Sequence, residues 1–203
     1  MPSRSKRIFF GDYVFLVDEN VYEPAEDSFL FAENLDVDEE DWVLDMGTGC
    51  GILGILAAAR ARGVVAVDIN PYAVRCARDN AKVNNVRANM VFVRSDLLTG
   101  FSEIKFDVVL FNAPYLPTEP NEGTSWLERA WTGGATGRQI IDRFVDEVPV
   151  HLKRSGRVLL MQSTLAGVDE TVHRLAERGL KTRVVAEQVL PFFERVVLLE
   201  AGS

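Results

Sequence analysis

Cysteine is scarce: Cys50 and Cys76 are the only two in 203 residues. Two thiols are too few for a disulfide framework or a zinc site, and reduced thiols in a cytoplasmic protein are the reading that follows. No apolar run approaches the ~18 residues of a membrane-spanning helix, so no membrane partner is expected. Positive charge is also short, with 22 Lys and Arg against 30 Asp and Glu and a net charge of −8. That balance argues against a partner gripped mainly through phosphate contacts, which need many cations. A local basic cluster, Arg4, Lys6 and Arg7, stands near the N-terminus. The apolar patch after it is broken by Gly11-Asp12 and has no clear cleavage site, so it does not read as a signal peptide. Repeats, low-complexity tracts and Pro/Ser-rich linkers are absent, which predicts one domain over 1–203 with a short extension to about residue 22. A chain of this length buries roughly 70% of the surface it exposes when unfolded. Its 47% hydrophobic and 26% charged residues exclude a disordered or fibrous protein.

What is present is a regular exchange of β-branched runs with helical stretches. Strands are predicted at Trp42–Met46, Val64–Asp68, Asn89–Arg94, Phe106–Phe111, Val158–Gln162, Lys181–Glu187 and Arg195–Glu200, and helices over 51–61, 71–84, 138–153 and 168–178. Runs such as Val108-Val109-Leu110-Phe111 are apolar on both faces, as strands are when helices cover both sides of a parallel sheet. The pattern predicts an α/β fold with a doubly wound, mostly parallel seven-stranded sheet. Ligands of such sheets bind outside the carboxyl ends of the strands.

Those ends carry acids and glycines. The first core strand runs into Asp45-Met46-Gly47-Thr48-Gly49-Cys50-Gly51, where glycine permits a tight turn and close backbone approach. A purely structural strand-to-helix turn is the alternative. Asp68 closes the second strand 23 positions after Asp45, the spacing of an acid that accepts hydrogen bonds from ribose hydroxyls. A cap for the helix begun by Asn70-Pro71 is the lesser alternative. Asp96 follows the third strand, with Leu97 beside it. The glycine spacing differs from the dinucleotide fingerprint, and Asp45 would repel a pyrophosphate while suiting a cationic amino group. These motifs resemble class I methyltransferases that use S-adenosylmethionine.

The fourth strand ends in Asn112-Ala113-Pro114-Tyr115, similar to the Asn-Pro-Pro-Tyr turn of methyltransferases that modify a planar nitrogen. Such a nitrogen is a poor nucleophile because its lone pair is delocalised, and two acceptors on its N–H groups orient it. Asn112 offers a side-chain oxygen, residue 113 a backbone carbonyl and Tyr115 a flat face. Ala113 replaces the usual Pro but keeps the carbonyl, and Pro114 still biases it to an extended conformation. Upstream, Glu23-Pro24-Ala25-Glu26-Asp27-Ser28 reads locally as a helix start with Pro24 in the first turn. Downstream, Leu116 to Thr136 has no strong period, and Trp131-Thr132-Gly133-Gly134-Ala135-Thr136-Gly137-Arg138 leads into a helix. Unstructured loops of that length are usually functional, with structural glycine turns as the competing reading.

These three stretches resemble the archaeal and eukaryotic HemK-like branch, which methylates the glutamine of the Gly-Gly-Gln motif in class I release factors. The resemblance implies Ser28 beside the methionine end of S-adenosylmethionine, Asp45, Gly47 and Gly49 under its amino acid moiety, and Asp68 on the ribose. It places Asp96 and Leu97 near adenine and Asn112 between cofactor and substrate, with Asp27 supporting the entrance helix. It also implies a small zinc-binding activator paired to a sheet edge, for which Asn89–Val93 is the candidate strand. His151 and His173 read as surface residues of helical stretches, and no metal ligand cluster is evident. Two other readings remain: an adenine or guanine amino methyltransferase, since the same turn serves both, and a cofactor-binding subunit without catalysis. The acidic chain favours protein over nucleic acid as substrate.

Overall fold

The computed structural model describes residues 6–119, 124–190 and 194–203; Arg4 of the basic cluster lies outside them. The core is one sheet ordered β5-β4-β3-β6-β7-β9-β8. Its strands are β3 (Trp42–Met46), β4 (Gly63–Asp68), β5 (Met90–Arg94), β6 (Phe106–Asn112), β7 (Leu152–Ser163), β8 (Lys181–Val189) and β9 (Arg195–Gly202). The five from β5 to β7 run parallel, and β9 pairs antiparallel with both β7 and β8. The helices are α1 (Glu26–Glu33), α2 (Ile52–Ala58), α3 (Pro71–Val83), α4 (Gln139–Glu147) and α5 (Val168–Glu177).

Alternation along the strands builds two cores. Val43, Val64, Ala66, Val108 and Leu110 face Phe31, Ile55 and Ala73 of α1–α3. Leu44, Val67, Val109 and Phe111 face Ile141, Phe144 and Leu175 of α4 and α5. The doubly wound α/β sheet is therefore observed, with all seven expected strands. From β3 the chain winds outward through β4 to β5, then crosses back to β6 on the other side of β3. Register aligns Met46 with both Val67 and Phe111, and Asp68 with Arg94, so the strand ends meet at one rim. The reversal of order opens a crevice there.

Some local expectations are corrected. Pro24 lies before α1, whose first residue is Glu26, rather than in its first turn. The helix expected to reach residue 153 ends at Glu147 and tightens into a 3-10 turn over Val148–His151, because Pro149 has no N–H for the α ladder. His151 is buried there, with Nδ1 3.0 Å from the Ile104 carbonyl oxygen, and so is not a surface residue. His173 is exposed and 3.5 Å from Glu177. Among the described residues no helix is long and apolar enough to cross a membrane.

An N-terminal hairpin was not anticipated. Strands β1 (Lys6–Phe10) and β2 (Tyr13–Val17) pair antiparallel around Gly11, which takes φ +54°. Phe15 and Val17 enter the core, and two asparagines on α3 hold the backbone of β2. Asn84 exchanges bonds with Val14 N (3.0 Å) and O (2.8 Å), and Asn80 does so with Leu16 N (2.9 Å) and O (3.0 Å). Four residues of helix rise about 6 Å and two of strand about 7 Å, so side chains four apart match alternate strand residues. Asn80 Nδ2 also donates to the Cys50 carbonyl in the glycine turn at 2.8 Å, and its side chain is buried. Asn80→Ala removes the side-chain partner of Leu16 N and of the buried Cys50 carbonyl, while the Leu16 carbonyl keeps the Cys76 thiol at 3.0 Å. Urea unfolding should show a loss of about 2–4 kcal/mol. Asn84 is less buried, so water replaces its bonds and Asn84→Ala should cost about 1 kcal/mol or less. Equal small losses at both positions would contradict this account of the hairpin.

Candidate active site

The site starts from an acid that folding buries. Asp45 is the penultimate residue of β3 and only 1% exposed. Its Oδ2 accepts from Thr48 Oγ at 2.6 Å and from Gly54 N at 2.9 Å. A Cβ on Gly54 would stand 2.6 Å from that same oxygen, so only glycine lets the first turns of α2 approach so closely. Burial pushes the Asp45 pKa up to about 7, with a further upward push from Asp68, against the two hydrogen bonds that lower it.

The glycine turn that follows curls back onto β4. Gly47 and Gly49 adopt φ +65° and +56°. Gly49 N donates to Asp68 Oδ2 at 3.0 Å, and Thr48 N to the Val67 carbonyl at 2.9 Å. Asp68 Oδ1 accepts from Asn70 N at 2.9 Å, and enclosure raises the pKa of this carboxylate too. Asn70, not Asp68, caps α3, its Oδ1 accepting from Tyr72 N at 2.9 Å. The helix-cap alternative for Asp68 is thereby removed. Beyond β5, Asp96 pairs with Arg143 at 3.1 Å, and Leu97 is held at φ +47°, a strained conformation for a branched side chain.

At the tip of β6, Asn112 Nδ2 donates to Asp27 Oδ2 at 3.0 Å and to Ser28 Oγ at 3.3 Å. Asn112 Oδ1 is buried and has no hydrogen-bond partner among the described residues. The Tyr115 hydroxyl donates to Asp27 Oδ2 at 3.2 Å, and that of Tyr22 to Asp27 Oδ1 at 3.2 Å. Burial, reinforced by the Asp27 charge, raises both phenol pKa values.

One cavity of about 480 Å³ joins these parts, within the range of small-molecule sites. Ser28, Asp45, Gly47, Gly49, Asp68, Asp96, Leu97, Asn112, Ala113, Pro114 and Tyr115 all line it. Residues not anticipated include Tyr22 and Thr48, and, at the mouth, Trp126, Arg129, Trp131 and Arg143. The guanidinium groups of Arg129 and Arg94 lie 4.9 and 5.9 Å from the Trp126 ring centre. Trp126 and Arg129 stand alone in an aperiodic loop and carry no spacing signal, whereas Trp131 belongs to the stretch singled out before α4 and Arg143 projects from that helix. The glycine-rich stretch beyond is largely structural. Gly133 N bonds the Leu116 carbonyl at 2.9 Å, and a Cβ on Gly137 would collide with the Tyr115 carbonyl oxygen. Arg138 ties α4 to the start of α5 through the Gly167 carbonyl at 2.7 Å and Thr171 Oγ at 3.1 Å, and does not line the cavity. Neither histidine lines it, and no metal-binding cluster occurs among the described residues.

Residues 19–127 match the model of the methyltransferase small domain. The chain belongs to that methyltransferase family. A Methanocaldococcus jannaschii protein, provisionally named a protein N5-glutamine methyltransferase, is 48% identical over 88% of this chain and 90% of its own. Methyltransferase HEMK2 of Mus musculus is 33% identical over 80% of each chain. Among solved structures, the E. cuniculi Mtq2–Trm112 complex, described as responsible for methylation of the eRF1 translation termination factor, is similar with a TM-score of 0.71. That match has 29% identity and covers 91% of this chain and 99% of that one.

The state of Asp45 in this methyltransferase has a consequence for stability. Unfolded, Asp45 loses its proton near 3.8; folded, it keeps it until about 7. Folding thus takes up a proton in that window, and the contribution of Asp45 is fully present below the window and is lost as pH rises through it. The slope is up to about 1.4 kcal/mol per pH unit. Asp45→Asn retains an acceptor and cannot ionise. Urea unfolding of the unliganded protein from pH 4 to 7 should show a shallower decline in the variant, and equal slopes would contradict the assignment.

Proposed function

We propose that this methyltransferase transfers a methyl group from S-adenosylmethionine to the side-chain nitrogen of a glutamine, that of the Gly-Gly-Gln motif of a class I release factor. The observation that carries the reading is the buried, unpartnered Oδ1 of Asn112, whose Nδ2 is already engaged. A buried acceptor without a donor is costly, and it is retained where a ligand supplies the donor. The N–H of a primary amide is such a donor.

S-adenosylmethionine fits the residues present. Asp45 and the glycine turn offer a carboxylate to a cationic amino group where a pyrophosphate would be repelled, with Ser28 beside the methionine end. Asp68, already braced by Gly49 and Asn70, has further lone pairs for ribose hydroxyls. Asp96 and Leu97 lie where the adenine would rest. Bound there, the cofactor supplies a methyl group activated by a sulfonium. Asn112 Oδ1 and the Ala113 carbonyl would accept the two amide N–H bonds, and Tyr115 would pack against the amide plane, which together would orient the amide nitrogen toward the cofactor. The extra amide proton passes to water after transfer, and no dedicated base is required.

The release factor as substrate is supported by the similarity to the Mtq2–Trm112 complex and to the N5-glutamine relatives, and a cytoplasmic location accords with it. A small activator protein is proposed to pair with β5, one of the two edge strands of the sheet, where Val91 is 56% exposed. A nucleobase substrate has one observation in its favour, the Trp126 ring flanked by arginines at the mouth. The net charge of −8 opposes it.

Steady-state kinetics on a recombinant release factor test the amide reading. Asn112→Ala should lower kcat about 100–1,000-fold while folding normally, and Ala113→Pro, which keeps the carbonyl, should stay active. A parent-like kcat for Asn112→Ala would refute it. For the cofactor, Asp68→Ala should weaken S-adenosylmethionine binding about 10–100-fold by calorimetry, as loss of charge-assisted hydrogen bonds does. Unchanged affinity would remove Asp68 from the ribose.

A further inference from the structure

A carboxamide has two orientations that differ only by exchange of its oxygen and nitrogen. In one, Asn112 presents an acceptor to the target amide; in the other it presents an N–H against N–H, and the substrate is repelled. Something in the fold has to select the first. Asn112 Nδ2 faces Asp27 Oδ2 at 3.0 Å, and an ionised carboxylate accepts and never donates, so it excludes the flipped orientation.

Asp27 is itself fixed with unusual completeness. It is 5% exposed, and five donors converge on its two oxygens. Oδ1 accepts from Ser28 N (2.7 Å), Ser28 Oγ (3.2 Å) and the Tyr22 hydroxyl (3.2 Å); Oδ2 accepts from Asn112 Nδ2 (3.0 Å) and the Tyr115 hydroxyl (3.2 Å). Both side chains proposed to meet the target amide are therefore held by one carboxylate, 85 residues from Asn112 in sequence. The hydrogen bond to an anion also shifts electron density in the carboxamide toward Oδ1, making it a better acceptor.

We propose that Asp27 is a positioning residue that locks the Asn112 carboxamide with its oxygen available to the substrate nitrogen, so that the enzyme takes a target bearing two N–H donors. The inference rests on the amide-transfer reading above. Its role is to orient a partner residue, beyond the support of the entrance helix that the sequence suggested.

The test uses a recombinant class I release factor and saturating S-adenosylmethionine. Asp27→Asn is isosteric but brings an NH₂ group that no longer dictates the orientation of Asn112. It should lower kcat about 10–100-fold with cofactor affinity, measured by calorimetry, unchanged. The reciprocal double variant, Asp27→Asn with Asn112→Asp, restores one donor facing one acceptor, and the carboxylate at 112 offers an oxygen whichever way it turns. It should recover at least tenfold of the lost kcat. A kcat for Asp27→Asn equal to the parent, a loss that merely follows weakened cofactor binding, or a double variant no better than the single one would each overturn the proposal. Should Asp27→Asn fail to fold, the double variant is measured alone: within tenfold of the parent supports the lock, and the level of Asn112→Ala overturns it. Asn112→Ala measured in parallel separates the two claims, since full activity there defeats the amide-transfer reading itself.

Discussion

Burying a carboxylate without a cation beside it is the constraint from which this site grows. Asp45 lies at the tip of the first core strand, under the start of α2, with donors from Thr48 and Gly54 and no basic partner among the described residues. Satisfying it dictates glycine at position 54, a hydroxyl at 48 and a turn tight enough to bring both within 3 Å. The same turn then delivers Gly49 N to Asp68, so two acids on neighbouring strands are held by backbone groups rather than by salt bridges. Burial raises the pKa of both carboxylates against these hydrogen bonds, and a cationic ligand beside them would favour their ionised form.

The opposite wall follows a different logic. There a single buried acid, Asp27, gathers its donors from side chains and backbone of two chain segments, 22–28 and 112–115, and what is left open is the neutral acceptor Asn112 Oδ1. One half of the cavity is built to hold charge and the other to orient a neutral planar group. The doubly wound sheet places the two halves side by side because β3 and β6 are adjacent where the strand order reverses.

Much of this was legible in the sequence. Each strand of the sheet announced itself by apolar runs, and the acids and the Asn112–Tyr115 turn stood at strand ends, where such sheets bind ligands. Register does the rest, since parallel strands with matched ends bring residues at equivalent tips to one rim. The hairpin was legible in principle, as the apolar runs Ile8-Phe9-Phe10 and Tyr13–Val17 on either side of Gly11-Asp12 are a hairpin signal. The basic residues at its start drew attention to charge instead. The capping role of Asn70 was also legible in principle, since its Oδ1 accepts from Tyr72 N two residues on and Asn before Pro is a local helix-start signal. The burial of His151 and the convergence on Asp27 were not legible, because each depends on contacts between segments far apart in the chain. Trp126 and its flanking arginines escaped for the same reason, with no periodicity to place them.

The central claim is that the site methylates a side-chain amide nitrogen. Tandem mass spectrometry after incubation of the enzyme with S-adenosylmethionine, a recombinant release factor and a separate pool of RNA and DNA tests it most directly. A single methyl group on the glutamine side chain of the Gly-Gly-Gln motif, absent when that glutamine is replaced by alanine, is the expected result. A methyl group on lysine or arginine, or on a nucleobase with none on protein, would contradict the account.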